Sequence, residues 1–233
     1  IIWLHSADVH AMERLPGGGL VAGWLSKKAH KILAVSQNLA DRFESCARLE
    51  QGSVEVLNPG IVPGPPPIPP PEGRLKAAFI GRLEEVKGVE IITEIAKRMP
   101  QWHFTIVGRG TLQPTISIAA EGLDNLELIP GCKPSEIRSI LDEHHILILP
   151  GQRGARRRQE GLPTVLLEAL DAGRPVIVGD SGGVRELIGS NDGFVINSGN
   201  LDEVHKALEI YATEIQKWSK RRQSLHAKAG LAL

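Results

Sequence analysis

Glu160 to Gly173 reads E-G-L-P-T-V-L-L-E-A-L-D-A-G. Two carboxylates, Glu160 and Glu168, bracket a glycine, a proline and an apolar run. Pro163 and Thr164 mark a helix start, because proline suits the first helical turn and threonine caps. Gly173, followed by Pro175, marks its stop. Glu160 then sits on the loop before the helix, and Glu168 lies just past its first turn. The backbone N–H groups from Gly161 to Val165 point out of the helix N-terminus, an end that attracts phosphate. Paired sugar hydroxyls are the natural partner for a carboxylate beside such an end, since one carboxylate accepts two hydroxyl hydrogen bonds.

The same grammar continues on both sides. Strand-like runs cover Leu75–Ile80, His103–Val107, Leu126–Ile129, Ile146–Leu149 and Pro175–Val178. Helical runs cover Val89–Met99, Thr111–Glu121, Ser135–Glu143 and Thr164–Ala172. The strands are continuous apolar runs, as in a parallel sheet covered on both faces. Strand alternating with helix predicts a doubly wound α/β domain, which binds ligands at the carboxyl ends of its strands. One long amphipathic helix is expected over Leu201–Ala227.

Upstream, Asn58 to Gly73 holds eight of the chain's 16 prolines, which excludes a helix or an interior strand. It reads as an extended, semi-rigid linker or, alternatively, as a protein-recognition segment. Before it, Ile1–His5, Lys31–Ser36 and Ser53–Leu57 read as strands, Leu20–His30 and Gln37–Leu49 as helices, and Ser6–Gly19 as a polar loop. The expected domains are 1–58, a linker at 59–74, a ligand-binding domain at 75–200, and a C-terminal helix at 201–233 packing back toward the N-terminal part. A chain opening directly in a buried strand is expected to lack upstream sequence.

The 233 residues carry 27 basic and 27 acidic side chains, so no global field draws the chain to nucleic acid or an anionic membrane. Cys46 and Cys132 match no metal spacing and read as reduced thiols of a cytoplasmic protein. No apolar run approaches the ~20 residues of a spanning helix. No G-x-G-x-x-G or Walker sequence occurs, and no nucleophile sits in a sharp elbow.

Four glycine turns follow strands. F-I-G-R-L-E-E-V-K-G, Phe79 to Gly88, places Arg82 and Lys87 at a strand's carboxyl end, where they either grip phosphate or lie solvated. I-V-G-R-G, Ile106 to Gly110, offers Gly108 to a nucleotide base or is merely a tight turn. I-P-G-C, Ile129 to Cys132, and S-G-G, Ser181 to Gly183, complete the set; together they make a pocket on one sheet edge plausible. Gln152 to Gln159, Q-R-G-A-R-R-R-Q, is either a solvated basic loop or a clamp for a lipid phosphate or acidic glycan. His144 and His145 read as structural.

In order, G-R-L-E-E-V-K-G, I-V-G-R-G, Pro150, E-G-L-P-T-V-L-L-E-A-L-D-A-G-R-P-V-I-V and G-G-V-R-E-L-I resemble the retaining glycosyltransferases of family four. K-I-L-A-V-S-Q-N-L-A through V-E-V-L-N-P-G is similar to the close of that family's N-terminal domain. The resemblance implies the GT-B fold, with a doubly wound C-terminal domain and here a partial N-terminal Rossmann-like domain. It implies transfer of a hexose from a UDP- or GDP-sugar to an acceptor hydroxyl with retained configuration and no metal. Arg82 and Lys87 would bind the diphosphate. Glu168 would hold the ribose, and Glu160, Gly161 and Leu162 the donor sugar. The amides of Thr164 and Val165 would face phosphate or ribose, Gly108 and Cys132 would line the donor pocket, and His5 would match the cleft histidine.

Two departures from the family follow: only the last third of the N-terminal domain is expected, and Gly151 replaces a serine before a longer basic loop. The acceptor is expected to be an anionic glycan or a lipid-linked sugar, met at the inner face of the membrane by at most peripheral contact. A partner chain supplying the rest of the N-terminal domain is a further expectation. The rivals are a non-catalytic or split-enzyme donor-binding module and a sugar-nucleotide epimerase of similar fold.

Overall fold

The computed structural model describes residues 1–58, 60–151 and 162–231. Its first unit is a small parallel sheet ordered β1-β2-β3, with β1 at Ile2–Leu4, β2 at Ile32–Ala34 and β3 at Glu55–Val56. Helices α1 (Ser6–Arg14), α2 (Gly18–Lys28) and α3 (Gln37–Ala47) complete it. Leu4, Val9, Ala22, Leu39 and Phe43 form its core.

The second unit alternates strand and helix: β4 (Lys76–Ile80), α4 (Val89–Arg98), β5 (His103–Val107), α5 (Gln113–Glu121), β6 (Leu126–Ile129), α6 (Ile137–Asp142), β7 (Ile146–Leu149) and α7 (Thr164–Asp171). It continues through β8 (Val176–Gly179), α8 (Val184–Leu187), β9 (Gly193–Ile196), α9 (Leu201–Thr213) and α10 (Ile215–Leu231). The six strands are parallel, in the order β6-β5-β4-β7-β8-β9. From β4 the chain steps outward through β5 and β6, then returns to β7 on β4's other flank. The crevice between the ends of β4 and β7 is therefore a topological switch point, where ligands of such sheets bind. Every residue of β7 and β8 is buried, as continuous apolar runs require.

Three expectations are corrected. Ser6–Arg14 is a helix, not part of a loop. Its polar composition hides a stripe in which Val9 is fully buried, and the Asp8 carboxylate accepts the His5 N–H at 2.9 Å to close the first turn. Gly193–Ile196 forms a sixth strand that a four-residue run bounded by glycine and asparagine did not announce. The C-terminal helix is two helices, broken at Glu214. The break lets Tyr211 and Trp218 both bury, with ring centroids 6.2 Å apart. Beyond it, α10 runs along α7, where His226 Nδ1 meets the Asp171 carbonyl at 2.7 Å.

The proline-rich segment is strapped to the second unit by its own polar backbone. An extended proline chain leaves its carbonyls without internal partners. Arg174, 1% exposed, donates to the Ile68 and Pro69 carbonyls and to those of Leu141 and Asp142. Arg138 reaches the Pro66 carbonyl, and both oxygens of Asp171 accept the Gly64 N–H at 3.1 Å. Burying a guanidinium is costly unless its donors are filled, and the strap supplies two of the four carbonyls that fill them.

Candidate functional site

The carboxyl ends of β4, β5 and β6 open into a cleft of about 720 Å³. Its walls include Gly81 and Arg82 after β4, Gly108 and Arg109 after β5, and Gly131, Cys132 and Lys133 after β6. Three of the four glycine turns therefore meet at one edge. The close approach falls at Gly108, where a Cβ would collide with the Gly81 carbonyl oxygen, whereas a Cβ at Gly81 would meet only the Phe79 ring at 3.7 Å. The space over Gly81 is left to the cleft.

Arg82 is exposed, and its Nη1 lies 2.8 Å from Glu84 Oε1. An ion pair so open to solvent is weak, so an anion competes with it at small cost. Lys87 closes a short 3-10 turn, Glu85–Lys87, ahead of Gly88. Gly88 has φ +67°, and a Cβ there would collide with the Gly151 carbonyl. This contact presses the Arg82–Lys87 loop against the turn leaving β7, at the switch point.

Helix α7 begins at Thr164, with Pro163 rather than Thr164 as its N-cap and no side-chain cap. The amides of Thr164 and Val165 precede the helix's internal hydrogen bonds. Val165 is buried in the core, Leu162 packs partly against it, and Thr164 is exposed. Glu168 stands four residues after Thr164, on the same helix face. Burial raises its carboxyl above the usual range. The Cys132 thiol is likewise pushed up by burial, and further by the Glu136 and Glu168 carboxylates.

Glu160, Gly161 and the basic segment at 152–159 lie outside the described residues. His5 stands on the other unit, at the carboxyl end of β1, its ring stacked on Trp3 at 6.2 Å. The structure thus brings Arg82, Gly108 and Cys132 to one cleft, with Lys87 and Thr164 at the switch point; Glu168, on α7, and His5 are not in its lining. Sequence reasoning passed over Arg109, whose Nε donates to the Pro130 carbonyl at 2.6 Å, and Glu136, which accepts the Lys133 N–H at 2.6 Å. Arg109 stood inside the quoted I-V-G-R-G, so position after a strand was the available signal. Among the described residues, no group of three His, Cys, Asp or Glu side chains is placed to hold a metal ion, and no helix is long and apolar enough to cross a membrane.

The profile of the glycosyl transferases group 1 matches residues 65–228. The putative colanic acid biosynthesis glycosyltransferase WcaL of Escherichia coli K12 is 30% identical over 194 residues, 79% of this chain and 48% of WcaL. The amylovoran biosynthesis glycosyltransferase AmsK of Erwinia amylovora is 35% identical over 124 residues, 50% of this chain and 30% of AmsK. The chain thus spans at most about half the length of these curated relatives. Among solved structures, Anabaena Alr3699/HepE in complex with UDP superposes with a TM-score of 0.79 at 18% identity, over 99% of this chain and 67% of that one. The lipopolysaccharide outer core galactosyltransferase WaaB superposes at 0.70, again at 18% identity, over 95% of this chain and 65% of its own. The fold is of the GT-B type, and the chain belongs to the glycosyl transferases group 1 family.

Proposed function

We propose that this chain contains the donor-binding half of a retaining hexosyltransferase that moves a sugar from a nucleoside diphosphate sugar to an acceptor hydroxyl. The observation that carries the reading is the cleft at the carboxyl ends of β4, β5 and β6, with Arg82, Gly108 and Cys132 on its lining. Arg82 and Lys87 neutralise the diphosphate and stabilise it as it departs. The amides of Thr164 and Val165 add the positive end of α7. Glu168 accepts two hydrogen bonds from the ribose hydroxyls. Gly108 and Cys132 border the base, Glu160, Gly161 and Leu162 hold the donor sugar, and His5 acts as the histidine contributed by the other unit.

HepE, a structural neighbour, is solved with UDP and with UDP-glucose, which supports UDP as the first donor to test, with GDP second. The reading assigns no metal to the reaction. The acceptor we propose is an anionic glycan or lipid-linked sugar, reached from the cytoplasm at the inner face of the membrane. The names of WcaL and AmsK, both of polysaccharide biosynthesis, support a glycan. We take residues 1–58 as the acceptor-side remnant, 59–74 as the linker and 75–200 as the donor domain. A partner chain supplying further acceptor-side structure is part of this proposal.

The test is a thermal-shift panel with UDP, GDP, ADP and their sugars. Ligand at a hundred times its dissociation constant stabilises by about 2.7 kcal/mol. Arg82→Ala with Lys87→Ala should abolish the shift while the unliganded midpoint stays; an unchanged shift rejects the diphosphate assignment. Slow hydrolysis of the nucleotide sugar, lost in Glu160→Ala, separates an enzyme from a binding-only module.

A further inference from the structure

We propose that Glu186 is a positioning residue that fixes how the three-stranded unit is seated on the six-stranded one. Helix α3 begins where β2 ends, and its first amides need acceptors from outside the helix. Ser36, the N-cap, supplies one: its Oγ accepts the Leu39 N–H at 3.3 Å. The next two come from the other unit. Glu186 on α8 accepts the Gln37 N–H at 2.7 Å through Oε2 and the Asn38 N–H at 3.0 Å through Oε1. One carboxylate thus spans two adjacent amides at the positive end of a helix some 150 residues away in sequence.

The turn before α8 is shaped for this joint. Gly183 has φ +88°, and a Cβ there would lie 2.6 Å from Ser36 Cβ. Only glycine lets the backbone press this close to the buried serine. Arg185, next to Glu186, is turned away into its own unit, where its Nε meets Asp180 Oδ2 at 2.9 Å. The S-G-G turn, grouped by sequence with the nucleotide-pocket glycines, therefore serves contact between the units.

The joint acts on the site through β2. Ser36 stands two residues past the end of β2, β2 pairs with β1 at Leu4 and Ala34, and His5 follows Leu4. Holding the start of α3 fixes the end of the small sheet that carries His5. Glu186 reaches no substrate in this arrangement; it sets where the His5 side of the molecule stands relative to Arg82 and Glu168.

The chain's only two cysteines report on this directly. Cys46 lies on α3 and Cys132 on the cleft wall. Nitroxide labels on both, in the full chain, measure the distance between the units. Glu186→Gln keeps the shape but removes the charge and one acceptor; Glu186→Ala removes both acceptors. Both variants should broaden the distance distribution and speed hydrogen exchange at Gln37 and Asn38 by roughly tenfold, the loss expected for bonds to a charged group. The Leu39 amide, held by Ser36, should change less. Arg185→Ala should leave distance and exchange at wild-type values. A distribution that superimposes on wild type in both Glu186 variants, or unaltered exchange at Gln37 and Asn38, overturns the proposal.

Discussion

Acid should loosen the grip between the proline strap and the six-stranded unit at one buried ring. His145 precedes β7 and is 1% exposed. Its Nδ1 accepts the Lys76 N–H at 3.1 Å, and a further bond ties the ring to the Pro71 backbone. This tautomer is neutral. Burial first, and the Arg174 guanidinium second, push its pKa from 6.5 down to about 4. The unfolded chain binds a proton near pH 6.5 and the folded chain only near 4, so stability is full above 6.5 and is lost as pH falls toward 4. At roughly 1.4 kcal/mol per tenfold of proton affinity the whole window is worth about 3 kcal/mol, of which about 2 is gone by pH 5. Urea unfolding at pH 7 and pH 5 reads the difference. His145→Asn keeps an acceptor for the Lys76 N–H and cannot titrate. It should be less stable than wild type at pH 7 yet lose about 2 kcal/mol less on acidification. Equal losses in the two proteins would refute the reasoning and move the acid sensitivity elsewhere, His144 being the next candidate because burial lowers its pKa too.

Three further outcomes follow from the packing and the site. Gly108→Ala drives a methyl into the Gly81 carbonyl; overpacking of ~1–3 kcal/mol should lower the melting midpoint by several degrees and weaken nucleotide binding, and an unmoved midpoint would show that the turn yields freely. Asp171→Ala strips acceptors from Gly64, Arg138 and His226; breaking so buried an ion pair should cost ~3–5 kcal/mol in urea unfolding, with a loss below 1 kcal/mol contradicting the strap's role. Because burial raises the Glu168 carboxyl, nucleotide affinity measured calorimetrically should fall as pH drops through that raised pKa. Glu168→Gln should flatten the profile and should weaken ribonucleotides more than 2′,3′-dideoxy analogues; equal losses mean Glu168 does not hold the ribose.

The main strands and the helices between them were legible because each carries its periodicity locally. Buried parallel strands are continuous apolar runs, and glycine or proline punctuates the turns. What misled was composition averaged over too long a window. Ser6–Arg14 looked polar as a whole, yet a helix needs only a narrow apolar stripe, which Val9 begins. Leu201–Ala227 looked continuous, because nothing local at Glu214 forbids a helix; the break serves the burial of Trp218 beside Tyr211. The proline segment could be named extended but not placed, since the arginines that hold its carbonyls lie some 70 to 106 residues downstream.

The order of short motifs, each strand with its glycine turn and each helix with its start, was enough by itself to determine a doubly wound α/β unit and a family resemblance. Those signals depend on neighbours within a few residues, and backbone preference and side-chain period act at that range. Tertiary structure decided which turns share a cleft. Gly81, Gly108 and Cys132 meet only because β4, β5 and β6 are adjacent in the sheet, and Ser181–Gly183 leaves that group because β8 lies beyond the switch point. It also decided that Glu186 serves a helix of the other unit. A carboxylate's partner is set by position in space, and no local pattern carries that.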